Sequence, residues 1–256
     1  MFSSSCPFKN SLKASLFFFA ITLLSPFSTY AQTQGKEVSI KASDGQKIYG
    51  TFTKPSLETD KILLLFHQAG ANRHEYDPLI SKFTKAGFAV LAIDQRSGGT
   101  RWDHTNKTVK KRGSSGSYSE AYADLKGALA YAEGKNYKII IAVGSSYSAA
   151  LAIVLASENP TKIDAVAAFS PGEYLNDKNR VKSAAAKVQQ AFYITAEPER
   201  GEKRVDEVLS KASGKNIIRY QAKNGVHGAS TLIKSRNPNG YAQNLKRFLG
   251  FLENVK

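Results

Sequence analysis

From Lys61 to Ala222 short apolar runs alternate with segments of helical period, and this alternation constrains the fold more than any other feature. The runs are "KILLLFH", "FAVLAID", "YKIIIAVG", "IDAVAAFS", "AFYITA" and "NIIRYQA". Continuous β-branched and aromatic stretches of this length suit strands covered on both faces, since a strand with one wet face would alternate. Between and after them, Tyr76, Leu79, Ile80 and Phe83 fall at i, i+3, i+4 and i+7, as do Leu245, Phe248, Leu249 and Leu252. Those are helix stripes that face a core. "SSYSAALAIVLASENP" is apolar nearly all round, as a central covering helix would be. Ahead of the alternation, "EVSIKA" and "KIYGTFTK" flank the turn signal Asp44-Gly45 and read as a hairpin. The pattern predicts an α/β fold: a doubly wound, mostly parallel sheet of about eight strands with helices on both faces, and ligands at the carboxyl ends of the strands.

With 256 residues, 42% of them apolar, the chain is long enough for one sizeable core and short for two. Residues 1–31 read differently from the rest. Lys9 and Lys13 precede the apolar run "SLFFFAITLL", and small residues at Thr29 and Ala31 follow, the pattern of a secretory leader cleaved after Ala31. The run is about half of what a spanning helix needs. A domain over residues 32–256, secreted or periplasmic, is therefore expected. The one cysteine, Cys6, lies in the leader, so the mature chain relies on its core and not on disulfides.

Removing the leader takes away two lysines and no acid, so the net charge falls from +15 to +13. Such a balance suits anionic partners, envelope surfaces among them, only where the charges gather. Here the lysines are scattered apart from "KTVKKR" at Lys107, Lys110, Lys111 and Arg112. No aromatic interleaving or nucleic-acid motif accompanies the cluster, which reads as solvated surface and not as a nucleic-acid site. The stretch Gln95 to Tyr118 reads as one long loop, of the kind that is usually functional or mobile. Its tail, "RGSSGSYS", has no strand leading in and no Gly-Lys-Ser/Thr following, so it reads as a linker and not as a phosphate cradle.

Three serines crowd the junction where strand "KIIIAV" gives way to helix "SAALAIVLA". A serine held at a sharp strand-to-helix turn needs small residues two before and two after it. Ser145 would have Val143 and Tyr147 there, and Ser148 falls inside the helix. Ser146 has Gly144 and Ser148 and sits at the turn, with the Tyr147 amide at the helix N-terminus available to an oxyanion. A plain helix cap would use the same residue type, so the reading needs partners.

A hydroxyl becomes a nucleophile only beside a base, which in turn needs an orienting acid. His227, in "NGVHGAST", is the one histidine after Ser146, and it follows "NIIRYQA" in a glycine-flanked turn. The acid should follow "AFYITA", where "EPERGE" comes next. Glu199 is preferred because it leaves the chain room to turn, and Glu197 and Glu173 stand as alternatives, Glu173 also as a substrate ligand. Near the end of "KILLLFHQAG" the amides of Ala69 and Gln68 can face the same space, Ala69 being the preferred second oxyanion donor. His67 reads as a brace of that loop. Trp102 and Tyr118 are candidates for a substrate-binding wall. These roles call for no metal and no organic cofactor.

The combination resembles the α/β-hydrolase superfamily, particularly its dienelactone-hydrolase and esterase-like branches, from about Glu37 to the C-terminus. "FHQAG" stands where those proteins often have His-Gly, "AIDQRSGG" resembles their Asp-x-Arg-x-x-Gly, and "GSSYS" resembles their elbow. The chain departs from them at Gln68 and Ser148, where glycine is usual, and in a glutamate acid. The resemblance implies that Asp94 and Arg96 are structural. It also implies that the 19 residues Gly172 to Gln190 are too few for a large lid domain. The expected activity is that of an exported serine hydrolase on small-molecule carboxylic esters. The alternatives are a peptidase or amidase on the same scaffold, and a non-catalytic basic envelope-binding protein.

Overall fold

A computed structural model describes residues 1–4 and 35–256; the leader expected over residues 1–31 lies outside these apart from residues 1–4. Strands β1 (Lys36–Lys41) and β2 (Lys47–Thr53) form the antiparallel hairpin around Gly45, whose φ of 90° is the conformation that glycine reaches without strain. Then come β3 (Lys61–Phe66), α1 (Asp77–Lys85) and β4 (Ala89–Asp94), followed by β7 (Ile139–Ser145), α4 (Tyr147–Glu158) and β8 (Ala165–Phe169). The chain closes with α5 (Arg180–Ala185), β9 (Ala191–Ala196), α6 (Arg200–Leu209), β10 (Ile217–Gln221) and α7 (Tyr241–Glu253).

The main sheet has eight strands in the order β1-β2-β4-β3-β7-β8-β9-β10, parallel from β4 to β10. Its central strands are buried nearly throughout, which is why they carry apolar residues without alternation. One face is covered by α4, α5, α6 and α3 (Tyr122–Glu133), the other by α1 and α7. Helix α4 is buried from Tyr147 to Ala156, and over that span a polar face is missing because none of it meets water. The segment between β8 and β9 carries only α5 and no lid domain.

The stretch Gln95 to Tyr118 is not the structureless loop its composition suggests. It holds the two-stranded hairpin β5 (Thr100–Arg101) and β6 (His104–Thr105), then α2 (Lys107–Arg112). Asn106 explains the order: its Oδ1 caps α2 at Val109 N (2.9 Å), and its Nδ2 donates to Gln95 O (2.8 Å). "RGSSGSYS" is likewise tied down, by Gly116 N donating to Arg96 O at 2.7 Å and by reciprocal Ser117 and Glu120 bonds at the approach to α3. Arg96 clamps Asp124 from Nε (3.0 Å) and reaches Asp44, while Asp94 accepts from Arg73 N and Lys107 N, each at 2.8 Å. Both residues brace loops at the carboxyl edge of the sheet.

Candidate active site

Strand β7 ends at Ser145, and Ser146 turns the chain into α4 with φ 60° and ψ −123°. A non-glycine residue held there costs about 1–3 kcal/mol, and such strain collects at functional sites. The turn is tight enough that a Cβ on Gly144 would lie 2.3 Å from Ser148 O, so only glycine fits two positions before the serine. Ser148, where a second glycine is usual, is fully buried; its Oγ donates to His67 O (2.5 Å) and accepts from Gln95 Nε2 (2.7 Å). The hydroxyl therefore ties the elbow to the loop after β3.

Ser146 Oγ lies 2.8 Å from His227 Nε2, and His227 Nδ1 lies 3.1 Å from Glu197 Oε1. Glu197 is the first residue beyond β9, and it also accepts from Ser170 Oγ at 2.5 Å and contacts Arg204 Nη2. Burial acts to raise the Glu197 carboxyl, but hydrogen bonds from His227 and Ser170 outweigh it and bring it down to about 2. A carboxylate on Nδ1 leaves the Nε2 lone pair facing the serine hydroxyl. Ser170, at φ 55°, further accepts from Gly228 N at 2.8 Å, so one hydroxyl holds both the acid and the histidine loop.

Glu199 does not approach the imidazole. It is the N-cap position of α6, exposed, at φ 60°. The expectation that the chain needs a few residues to turn fails because α6 starts directly after Glu199, while the His227 loop packs on Glu197 itself: a Cβ on Gly225 would lie 3.3 Å from Glu197 Cα. Glu173 caps α5, accepting from Val181 N (3.0 Å) and Lys182 N (2.7 Å), so helix amides occupy the carboxylate proposed as acid or substrate ligand.

Gln68 also departs from expectation. Its amide donates to Glu75 Oε2 at 2.7 Å and is spent there, whereas among the described residues no protein acceptor engages the amides of Ala69 or Tyr147. His67 is fully buried, with Nδ1 donating to Gln68 O (2.8 Å) and Nε2 accepting from Gln95 N (3.0 Å), a brace of the loop. Tyr118 stacks on Tyr147 with ring centroids 4.4 Å apart. Trp102 sits on the β5–β6 hairpin with Arg236 3.9 Å and Arg101 4.9 Å from its ring centroid, and Arg101 Nη1 donates to Gln68 Oε1 at 3.0 Å.

Four participants escape a reading of the sequence. Glu75 has no exposed surface and gathers Gln68 and Ser145; Ser170 and Arg204 hold Glu197; and Tyr174 donates to Ser170 O at 3.3 Å with Ser146 beside its hydroxyl. Burial raises the Tyr174 phenol above its ordinary range. Only Ser170 and Tyr174 carried a signal, their place just after a strand. Among the described residues one group has the chemistry of a metal site: His74, Asp77 and His104, with ligand atoms within 4.8 Å of one another. The two imidazoles are stacked at 3.7 Å and 11°, so their in-plane lone pairs run side by side instead of converging.

A family profile described as "Serine aminopeptidase, S33" matches residues 58–253. No curated protein matches the sequence. Among solved structures, the esterase Pf2001 of Pyrococcus furiosus superposes with a TM-score of 0.65 at 17% identity, covering 87% of this chain and 91% of its own. A dienelactone hydrolase from Anabaena variabilis gives 0.66 at 17% identity over 88% and 99%, and a thermostable carboxyl esterase from Bacillus coagulans 0.66 at 12% over 86% and 98%. At these identities the likeness is one of fold.

Proposed function

Since the chain belongs to the serine aminopeptidase, S33 family of α/β hydrolases, we propose that it is an exported serine hydrolase acting on small carboxylic esters. The observation that carries this reading is the unbroken relay from Ser146 Oγ through His227 to Glu197, at 2.8 and 3.1 Å. In the proposed reaction Ser146 attacks the ester carbonyl as its proton passes to His227 Nε2, and Glu197 holds the resulting imidazolium by its Nδ1–H. The tetrahedral oxyanion is met by the amides of Ala69 and Tyr147, the latter at the positive end of α4. His227 then returns the proton to the departing alkoxide. A water repeats the sequence on the acyl-serine, releasing the acid and restoring the hydroxyl.

Export is supported by the composition of the leader. No described helix is long and apolar enough to cross a membrane. Contact with anionic envelope surfaces would fall to Lys107, Lys110, Lys111 and Arg112, the one stretch of the sequence where basic charge gathers. The description of the matching family favours a second reading, hydrolysis of peptide or amide bonds on the same site. A fluorophosphonate probe with mass-spectrometric mapping tests the nucleophile. Labelling of Ser146 that is lost in Ser146→Ala is expected, and an unlabelled Ser146 overturns the reading in favour of a non-catalytic binding protein. Nitrophenyl esters against peptide anilides separate the two substrate classes.

A further inference from the structure

We propose that Arg204 sets the basicity of the His227 imidazole by cancelling part of the charge on the carboxylate that orients it. The inference rests on reading Ser146, His227 and Glu197 as a proton relay. Arg204 projects from α6 and its Nη2 contacts Glu197 Oε1, the same oxygen that faces His227 Nδ1. Ser170 holds the other oxygen. Among the described residues Glu197 is the one carboxylate paired with Arg204, so the guanidinium is not neutralised elsewhere. The Arg204 and Glu197 side chains are only 18% and 20% exposed, which weakens screening of their charges by solvent.

The "PGEY" turn keeps the guanidinium in place. A Cβ on Gly172 would lie 3.0 Å from both Arg204 Cδ and Tyr174 Cζ, so the glycine lets the turn close over the two side chains. The groups around the relay are Ser146 from the elbow, Ser170 and Tyr174 from the β8 side, and Arg204 and Arg200 from α6, the last two within electrostatic reach of Tyr174. Among the described residues Glu197 is the one carboxylate bonded to His227.

A lone carboxylate beside an imidazole favours the imidazolium, and a cation nearby opposes it. With Arg204 on the shared oxygen, Glu197 attracts a proton on His227 less strongly than an unpaired carboxylate would. The consequence in the transition state is a weaker hold on the imidazolium than an unpaired glutamate would provide. Arg204 is thus a positioning residue that acts through Glu197 and touches no substrate.

The test follows the His227 imidazole by NMR across pH in the full chain, for the wild type, Arg204→Met, the neutral but hydrogen-bonding Arg204→Gln and the charge-retaining Arg204→Lys. Alongside it runs the pH profile of kcat/KM on a nitrophenyl ester. The neutral variants are expected to move both the imidazole midpoint and the acid limb up by about one pH unit, with Arg204→Lys staying near the wild type. A role in packing alone would lower kcat and leave the midpoint in place. Midpoints of the folded neutral variants that coincide with the wild type, or move down, overturn the proposal. The NMR midpoint needs no turnover, so absent ester hydrolysis with an unlabelled Ser146 would count against the serine-hydrolase reading and leave the titration to decide this one.

Discussion

Ser145 Oγ donates to Oε1 of Glu75 at 2.8 Å, which joins the residue before the elbow serine to a carboxylate with no exposed surface. The same Oε1 accepts from Gln68 Nε2 at 3.0 Å, and Oε2 accepts from the Gln68 amide. Ser145 Oγ in turn accepts from Ala229 N at 2.9 Å, two residues beyond His227. One buried acid therefore sets the relative positions of the elbow, the loop bearing the Ala69 amide and the histidine loop.

Glu75→Gln should disturb all three at once. Donors aim at both oxygens of the acid, so an amide must turn its NH2 group toward one of them, leaving buried donors unpaired. A loss of about 2–3 kcal/mol is expected in urea denaturation, with a drop in kcat/KM of more than about tenfold because the proposed oxyanion donors shift. A variant equal to the wild type in both would show that the network is dispensable.

The two glutamates after β9 should separate cleanly. Glu197→Gln retains the shape of the acid but removes its charge and can present the wrong partner to Nδ1; a fall in kcat of about 10³–10⁴ is expected. Glu199→Gln, exposed and without a side-chain bond at the cap, should hydrolyse nitrophenyl esters at close to the wild-type rate. Equal losses in the two would contradict the geometry.

Glu197 also links stability to pH. Its carboxyl is lowered from 4.5 to about 2 in the folded chain, so its contribution is complete above the unfolded value near 4.5 and disappears as pH falls toward 2. The full swing is at most about 3 kcal/mol. Urea midpoints measured from pH 6 to 2 should show this component, and Glu197→Gln should lack it. An unchanged pH dependence in that variant would refute the linkage.

The elbow makes a steric and a polar prediction. Gly144→Ala drives a methyl to within 2.3 Å of Ser148 O, and backbone cannot yield that much without moving Ser146; loss of Ser146 labelling is expected even where the chain still folds. Ser148→Ala leaves His67 O and Gln95 Nε2 without that hydroxyl, at a cost of about 1–3 kcal/mol by denaturation. A Gly144→Ala protein that labels normally would mean the turn is looser than its contacts indicate.

The sheet, its covering helices and the elbow could be read from the chain alone because each follows from local rules. A strand buried on both faces must be apolar throughout, as "ILLLF" is, and a helix buried all round must lack a polar face, as "YSAALAIVLA" does. Gly144 before Ser146 is equally local, being demanded by a contact within one turn. What surrounds the serine was decided in three dimensions. Glu197 and Glu199 are alike as residue types and stand two apart, and the choice between them depends on where the His227 loop lands, which is set by β9 pairing with β10. Glu75 and Ser145 are 70 positions apart, and Arg204 meets Glu197 only because α6 turns back over the end of β9. Hydrogen bonds between distant segments leave no periodicity in the sequence, since their partners are fixed by packing and not by spacing.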